Sequence, residues 1–173
     1  MDKIFWVDLE MTGLDPKTTV IIEFAGIITD MNLKKIDTYH AVVFQPPEEL
    51  AKMDSWNVST HGQSGLLEKI PNGKPLTTVE REVIRFLKPH FSEEKPVLAG
   101  NSIHQDRKYI DRYMKKLSQF LHYRMIDVSS FKQVFNHLYH ITYPKQNSHK
   151  ALEDIEASIA ELSFYLSFVK VPV

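Results

Sequence analysis

The sequence predicts an α/β fold: one mixed β-sheet covered by helices, in a single domain over residues 1–173. Three observations carry this. Strand-like stretches follow one another through residues 3–44, two short apolar strand patterns come later, and stretches of helical period alternate with those two. Strands in succession, then strands alternating with helices, make a mixed sheet with helices on its faces. A chain of 173 residues is long enough for one well-filled core and too short for two comfortable domains.

The elements read in order. Residues 3–9 alternate in the strand manner, and 11–19 are turn-like around Gly13 and Asp15-Pro16. Residues 20–29 form a nearly continuous apolar run, which suits a central strand buried on both faces. A hairpin turn at 30–33 leads to a third strand over 34–44, and Pro46-Pro47 then stops the sheet. Short helices follow to about residue 69. A helical period runs from Thr77 or Thr78 to Lys88, a short apolar strand over 96–100, and a helix over 102–114. Residues 124–128 form another strand with a helix behind it. A loop around Pro144 precedes the last long helix, expected over 148–169.

Composition narrows the class. Apolar residues make up 43% and charged residues 25%, the balance of a soluble globular protein rather than a disordered one. No window approaches the run of about 18 apolar residues that a membrane helix needs, so no membrane association is expected. The first residues run straight into a strand pattern and resemble neither a secretory signal nor a transit peptide. With no cysteine, disulfides and thiolate chemistry are excluded, and a cytoplasmic location is expected. The formal charge of −1 lacks the basic excess of proteins that grip long nucleic acid. Any nucleic-acid substrate is therefore expected to be short and held by a few specific contacts.

Four acids and a histidine stand out. Asp8 and Glu10 lie two apart on a strand and continue the face begun by Ile4 and Trp6. Two acids on a buried face repel each other and lose hydration unless cations neutralise them; the alternative is a strand end where both reach water. Asp106 sits three after Ile103 and four before Ile110, on the apolar stripe of its helix, and wants a partner there. A salt bridge to a nearby Arg or Lys is the plain alternative. Asp111 lies off that stripe. Asp154 lies on the edge of the stripe Ala151, Ile155, Ser158 or Ile159, and Leu162, while Glu153 and Glu156 point outward. His149 precedes Asp154 by five and fits the loop-to-helix junction, where it either leans over a site or simply faces solvent. Together the acids offer four hard oxygen ligands, which suit Mg²⁺ or Mn²⁺ and not zinc. Two divalent ions about 4 Å apart are a known solution for phosphodiester cleavage.

This constellation resembles the DEDDh 3′→5′ exonucleases of the RNase-H-like fold. Longer strings resemble the oligoribonuclease family in particular: Trp6-Val-Asp-Leu-Glu-Met-Thr-Gly-Leu-Asp15, Met53-Asp-Ser-Trp-Asn-Val-Ser-Thr-His61, Gly100-Asn-Ser-Ile-His-Gln-Asp106, His122-Tyr-Arg124 with Asp127-Val-Ser129, and Lys145 through His149 to Asp154. The resemblance spans nearly the whole chain. It implies that Asp8, Glu10, Asp106 and Asp154 hold two Mg²⁺ or Mn²⁺ ions and that His149 is the general base. It also implies hydrolysis of very short RNA, from dinucleotides upward, to nucleoside 5′-monophosphates.

By the same resemblance Leu14 and Trp56 pack on the bases, although periodicity alone reads Trp56 as a core residue. Ser102, His61, Ser129 and Arg124 are implied to cap the substrate's 5′ phosphate. Ser102 also reads as a helix N-cap, with Gln105 completing a capping box. Tyr123 and Arg124 are implied to reach across a twofold homodimer into the partner's site. The chain departs from the family pattern at His104, where Gly is common, at Asn147-Ser148 in place of Gly-Thr, and around Asn136 to Tyr139, where bacterial members often carry Arg-Arg-Trp. Two rival readings are a DEDDh exonuclease acting on longer RNA or DNA ends, and a catalytically silent nucleic-acid-binding module on the same fold.

Overall fold

A computed structural model describes residues 2–144 and 150–170. Three long strands come first: β1 (Lys3–Met11), β2 (Ile21–Asp30) and β3 (Lys35–Val42), paired antiparallel in sequence. The turn between β2 and β3 is closed by Asp30, whose Oδ1 accepts from the amides of Asn32 and Lys34, both at 2.9 Å. After Pro46 come α1 (Pro47–Leu50) and α2 (Ser55–Gln63). Asp54 caps α2, its Oδ1 accepting from Asn57 N. Then follow α3 (Leu76–Leu87), β4 (Leu98–Gly100), α4 (His104–Tyr113), α5 (Lys115–Phe120), β5 (Met125–Asp127), α6 (Val128–Leu138) and α7 (Ala151–Leu166).

The sheet order is β3-β2-β1-β4-β5, with β4 parallel to β1 and β5 parallel to β4. It is the mixed sheet expected. β2 is paired on both edges and buried along nearly all its length, as its apolar run predicts, while β1 takes the middle position.

Alternation along β1 sorts the layers. Phe5, Val7 and Leu9 pack with α3, α4 and α5 through Val79, Val83, Ile110 and Leu117. Ile4 and Trp6, on the opposite face, pack with Val128 of α6 and Ala151, Ile155 and Leu162 of α7. Trp6 Nε1 donates to Thr29 Oγ1 at 2.9 Å, so the indole is buried without an orphaned donor.

The helix expected over 102–114 is α4, which Met114 ends by adopting φ −124°, ψ 63° before α5 begins. Leu117 still continues the buried stripe. Ser102 is not an N-cap. It stands before α4 with φ 51°, the helix enters through Ile103 without a side-chain cap, and the Ser102 amide turns instead to α6. Among the described residues no helix is long and apolar enough to cross a membrane.

Parallel β1, β4 and β5 bring their carboxyl ends to one edge of the molecule, the usual place for a site in such sheets. Their close approach depends on Gly100, where an added Cβ would lie 2.8 Å from the carbonyl oxygen of Val7. Gly100→Ala is expected to push β4 away from β1 and lower stability by about 1–3 kcal/mol, measurable by urea unfolding. A variant as stable as the parent would show that the strands can move apart freely.

Candidate active site

The face of β1 that carries Ile4 and Trp6 continues to Asp8 and Glu10, both only partly buried at the strand's end. Asp154 enters from the first turn of α7. Ligand oxygens of Asp8, Glu10 and Asp154 lie within 4.8 Å of one another. Asp106 comes from the opposite layer, in the first turn of α4, and is 6% exposed. Its Oδ1 accepts from Leu9 N at 2.9 Å, which fastens it to the backbone between Asp8 and Glu10. The alternative of a salt bridge is not realised: among the described residues no ion pair includes Asp106. Asp111 takes that role, with Arg107 Nε at 2.8 Å.

Burial and neighbouring acids oppose the ionisation of Asp8, Glu10 and Asp106. Burial first, and then the charges of Glu23, Asp154 and Asp106, push the Glu10 carboxyl up from 4.5 to about 8. Burial and then Asp106, Glu10, Asp154 and Glu23 raise Asp8 well above the usual carboxylate range. Asp106 is pushed up to about 7, mainly by burial; the Leu9 amide works the other way and Asp127 adds to the rise. Glu23 is a fifth acid the sequence reading passed over. It stands opposite Glu10 in the β1–β2 ladder, 2.7 Å from His40 Nε2 on β3. A cross-strand Glu–Glu pair was legible only once the register was known. Such an all-oxygen, mutually repelling set fits a divalent cation, which would relieve the repulsion.

Around this cluster the remaining expected residues are placed unevenly. His149 lies outside the described residues. Leu14 and Trp56 are 76% and 63% exposed. The reading of Trp56 as a core residue is therefore wrong: it follows the Asp54 cap at the start of α2, where its ring faces solvent. Leu14 rides on a loop anchored by two tyrosines of α4. Tyr109 Oη donates to Gly13 O at 2.8 Å and also meets Thr19 Oγ1, and Tyr113 Oη donates to Thr19 O at 2.7 Å. His61 is 2% exposed, its Nε2 3.0 Å from Met11 O and its Nδ1 3.8 Å from Glu10. It underlies Glu10 and does not face solvent.

Ser102 and Ser129 do come together, their hydroxyls 3.1 Å apart and Ser102 N donating to Ser129 Oγ at 2.8 Å. Asp127, the N-cap of α6, already accepts from the amides of both serines. His104 Nδ1 lies 3.3 Å from the other oxygen of Asp127. Tyr123 and Arg124 are exposed, the guanidinium 5.2 Å from the ring centre, and Arg124 bonds neither serine among the described residues.

Comparison with known proteins gives this geometry a family. The sequence model described as Exonuclease matches residues 5–162. An oligoribonuclease of Francisella tularensis subsp. tularensis is 40% identical over 168 residues, covering 95% of this chain and 94% of its own length. One from Photorhabdus laumondii is 42% identical over 167 residues, covering 94% of this chain and 92% of its own. The chain belongs to the oligoribonuclease family of exonucleases. It is accordingly a 3′→5′ exoribonuclease, a phosphodiester hydrolase. The fold is RNase-H-like: the E. coli ExoI–ssDNA complex in its zinc-bound form superposes with a TM-score of 0.76 at 14% identity over 96% of this chain. Exonuclease I from Methylocaldum szegediense gives 0.69 at 18% over 97%. This oligoribonuclease-family chain spans only 41% of either exonuclease I chain.

The raised acids give a stability prediction. Without divalent ions, folded Glu10 keeps its proton to about pH 8 and the unfolded chain keeps it only to about 4.5. The folded state binds more protons across that window, so its stability falls as pH rises through it. Melting temperature in EDTA is expected to drop between about pH 5 and about pH 8, less steeply in Glu10→Gln, and Mg²⁺ should restore it at the upper end. An unchanged slope in Glu10→Gln would take Glu10 out of this account.

Proposed function

We propose that this exoribonuclease degrades very short oligoribonucleotides, from dinucleotides upward, to nucleoside 5′-monophosphates at the Asp8–Glu10–Asp106–Asp154 cluster. The observation that carries the reading is the convergence of three acid oxygens within 4.8 Å beside a fourth, buried acid fastened to the same strand. Asp8, Glu10, Asp106 and Asp154 would hold two Mg²⁺ or Mn²⁺ ions. Such ions supply a lowered pKa for the attacking water and charge stabilisation for the attacking and leaving oxygens. The protein's own part is to hold four carboxylates in place and to take a proton. His149 is the proposed base, accepting that proton on a ring nitrogen, a task suited to an unperturbed pKa near 6.5.

Substrate shape follows from the rim. The exposed side chains of Leu14 and Trp56 offer apolar faces on which bases stack without regard to sequence, worth roughly 1–3 kcal/mol per base. Ser102 and Ser129 supply hydroxyls for a 5′-terminal phosphate. Because Asp127 occupies the neighbouring amides and adds negative charge, that phosphate needs a cation. Arg124 is the proposed source, delivered with Tyr123 from the second subunit of a homodimer; the exposure of both residues supports this. His61, as positioned, would serve Glu10 rather than the phosphate. The enzyme is proposed to work in the cytoplasm, in keeping with a sequence free of cysteine.

Rates on a dinucleotide and on an RNA of about 20 nucleotides, compared at one salt concentration, should favour the dinucleotide by kcat/KM; the reverse order favours an exonuclease for longer ends. EDTA and Asp8→Ala are each expected to abolish turnover while the chain stays folded by circular dichroism. Hydrolysis surviving either would remove the metal cluster from the mechanism. His149→Ala should cost about 10²–10⁴-fold in rate with little loss of Mn²⁺ binding. Equal loss of binding and rate would make the histidine a ligand instead.

A further inference from the structure

Glu161 is fully buried on α7, and none of the proposed chemistry uses it. A carboxyl taken wholly out of water is costly unless its oxygens are hydrogen-bonded. Here Oε1 accepts from Tyr165 Oη at 3.2 Å and Oε2 from Asn101 Nδ2 at 3.0 Å. Among the described residues no ion pair includes it. Asn101 sits at the end of β4, immediately before Ser102, and its amide bridges three elements. Nδ2 also donates to Ser158 Oγ at 2.9 Å, while Oδ1 accepts from Ser129 Oγ at 3.3 Å.

The directions of these bonds matter. With both Glu161 and Ser158 accepting, the Asn101 amide can face only one way, nitrogen toward α7 and oxygen toward Ser129. Ser129 then commits its one proton to Asn101 and accepts from Ser102 N, so of the two hydroxyls, 3.1 Å apart, only that of Ser102 has a proton that can turn outward. Through two relays, a carboxyl out of reach of any substrate sets which serine hydroxyl can donate outward.

We infer that Glu161 is a positioning residue for recognition of the substrate's 5′-terminal phosphate, acting through Asn101 on the Ser129–Ser102 pair. This rests on the proposal that the two serines receive that phosphate. Glu161 thereby sets the preference for substrates whose 5′ end lies within reach of the cluster, and with it the length selectivity of the enzyme.

The experiment compares kcat and KM for one dinucleotide carrying a 5′ phosphate and the same dinucleotide with a 5′ hydroxyl, in the full-length protein. Glu161→Met keeps the bulk and removes the acceptors. It is expected to raise KM for the phosphorylated substrate about tenfold, the equivalent of one misplaced hydrogen bond. Its kcat, and both constants for the 5′-hydroxyl substrate, should stay close to the parent's. Glu161→Gln, which can still accept from Asn101 while donating to Tyr165, should restore the preference. Equal loss on both substrates, or loss confined to kcat, overturns the inference, because the carboxyl then serves only the packing of α7 and the Asp154 helix. Should Glu161→Met fail to fold, Asn101→Ala breaks the same relay from its other end and must show the same selective loss. If the parent enzyme itself ignores the 5′ phosphate, the phosphate reading fails first and takes the inference with it.

Discussion

Mutual repulsion among carboxyls at the end of β1 is the constraint around which this molecule is arranged. Asp8 and Glu10 are fixed by strand geometry on the face of Ile4 and Trp6, whose other packed side chains are apolar. The chain tolerates Asp106 and Asp154 beside them partly because each stands in the first turn of a helix. There the helix dipole and unsatisfied amides favour a carboxylate. The Leu9 amide adds a further donor to Asp106. Even so, burial and repulsion leave Glu10 and Asp106 with affinities for protons far above those of free acids. The acids thus form an unfavourable arrangement that cation binding would relieve, the usual relation between a functional site and the stability of its scaffold.

The supports of that arrangement come from outside it. His61 closes the floor beneath Glu10, and His40 meets Glu23, so the acid facing Glu10 across the ladder is not left without a donor. Tyr109 and Tyr113 tie the Leu14 loop to α4, the helix that bears Asp106. A base stacked on Leu14 and an ion held by Asp106 therefore share one rigid body. In the proposed function, binding and chemistry would be positioned by the same helix, which would limit how far they could drift apart.

How much of this the sequence discloses depends on whether a signal is a period or a contact. The period of two put Asp8 and Glu10 on one face, and the helical period turned Asp106 inward; both placements hold. Periods do not name partners, so the Leu9 amide that holds Asp106 and the Glu23 that opposes Glu10 were hidden until strand register was known. Trp56 misled because tryptophan is usually counted as core, and no period in α2 contradicts that reading. Ser102 misled because a Ser-x-x-Gln pattern fits a capping box, whereas a left-handed φ at Ser102 turns its amide to α6. Glu161 was within reach of the helical period. It lies three after Ser158 and seven after Asp154, on the buried face, and an acid there is as anomalous as Asp106 on α4.

Charge also explains why the proposed substrate is short. The chain carries 21 basic and 22 acidic side chains, and acids, not bases, gather at the site. A long RNA lying across such a surface gains little from counterion release, since that gain scales with the number of phosphates met by Lys and Arg. Each phosphate near the cluster is instead repelled unless an ion or an arginine intervenes. Only the scissile phosphate, served by divalent ions, and a terminal phosphate, served by one arginine and paired serine hydroxyls, would find such relief. Stacking on Leu14 and Trp56 then has to supply most of the remaining affinity, and two apolar platforms match about two bases. A substrate longer than that would add phosphates faster than it adds favourable contacts, so the proposed selectivity for very short RNA would follow from the scarcity of cations along the site.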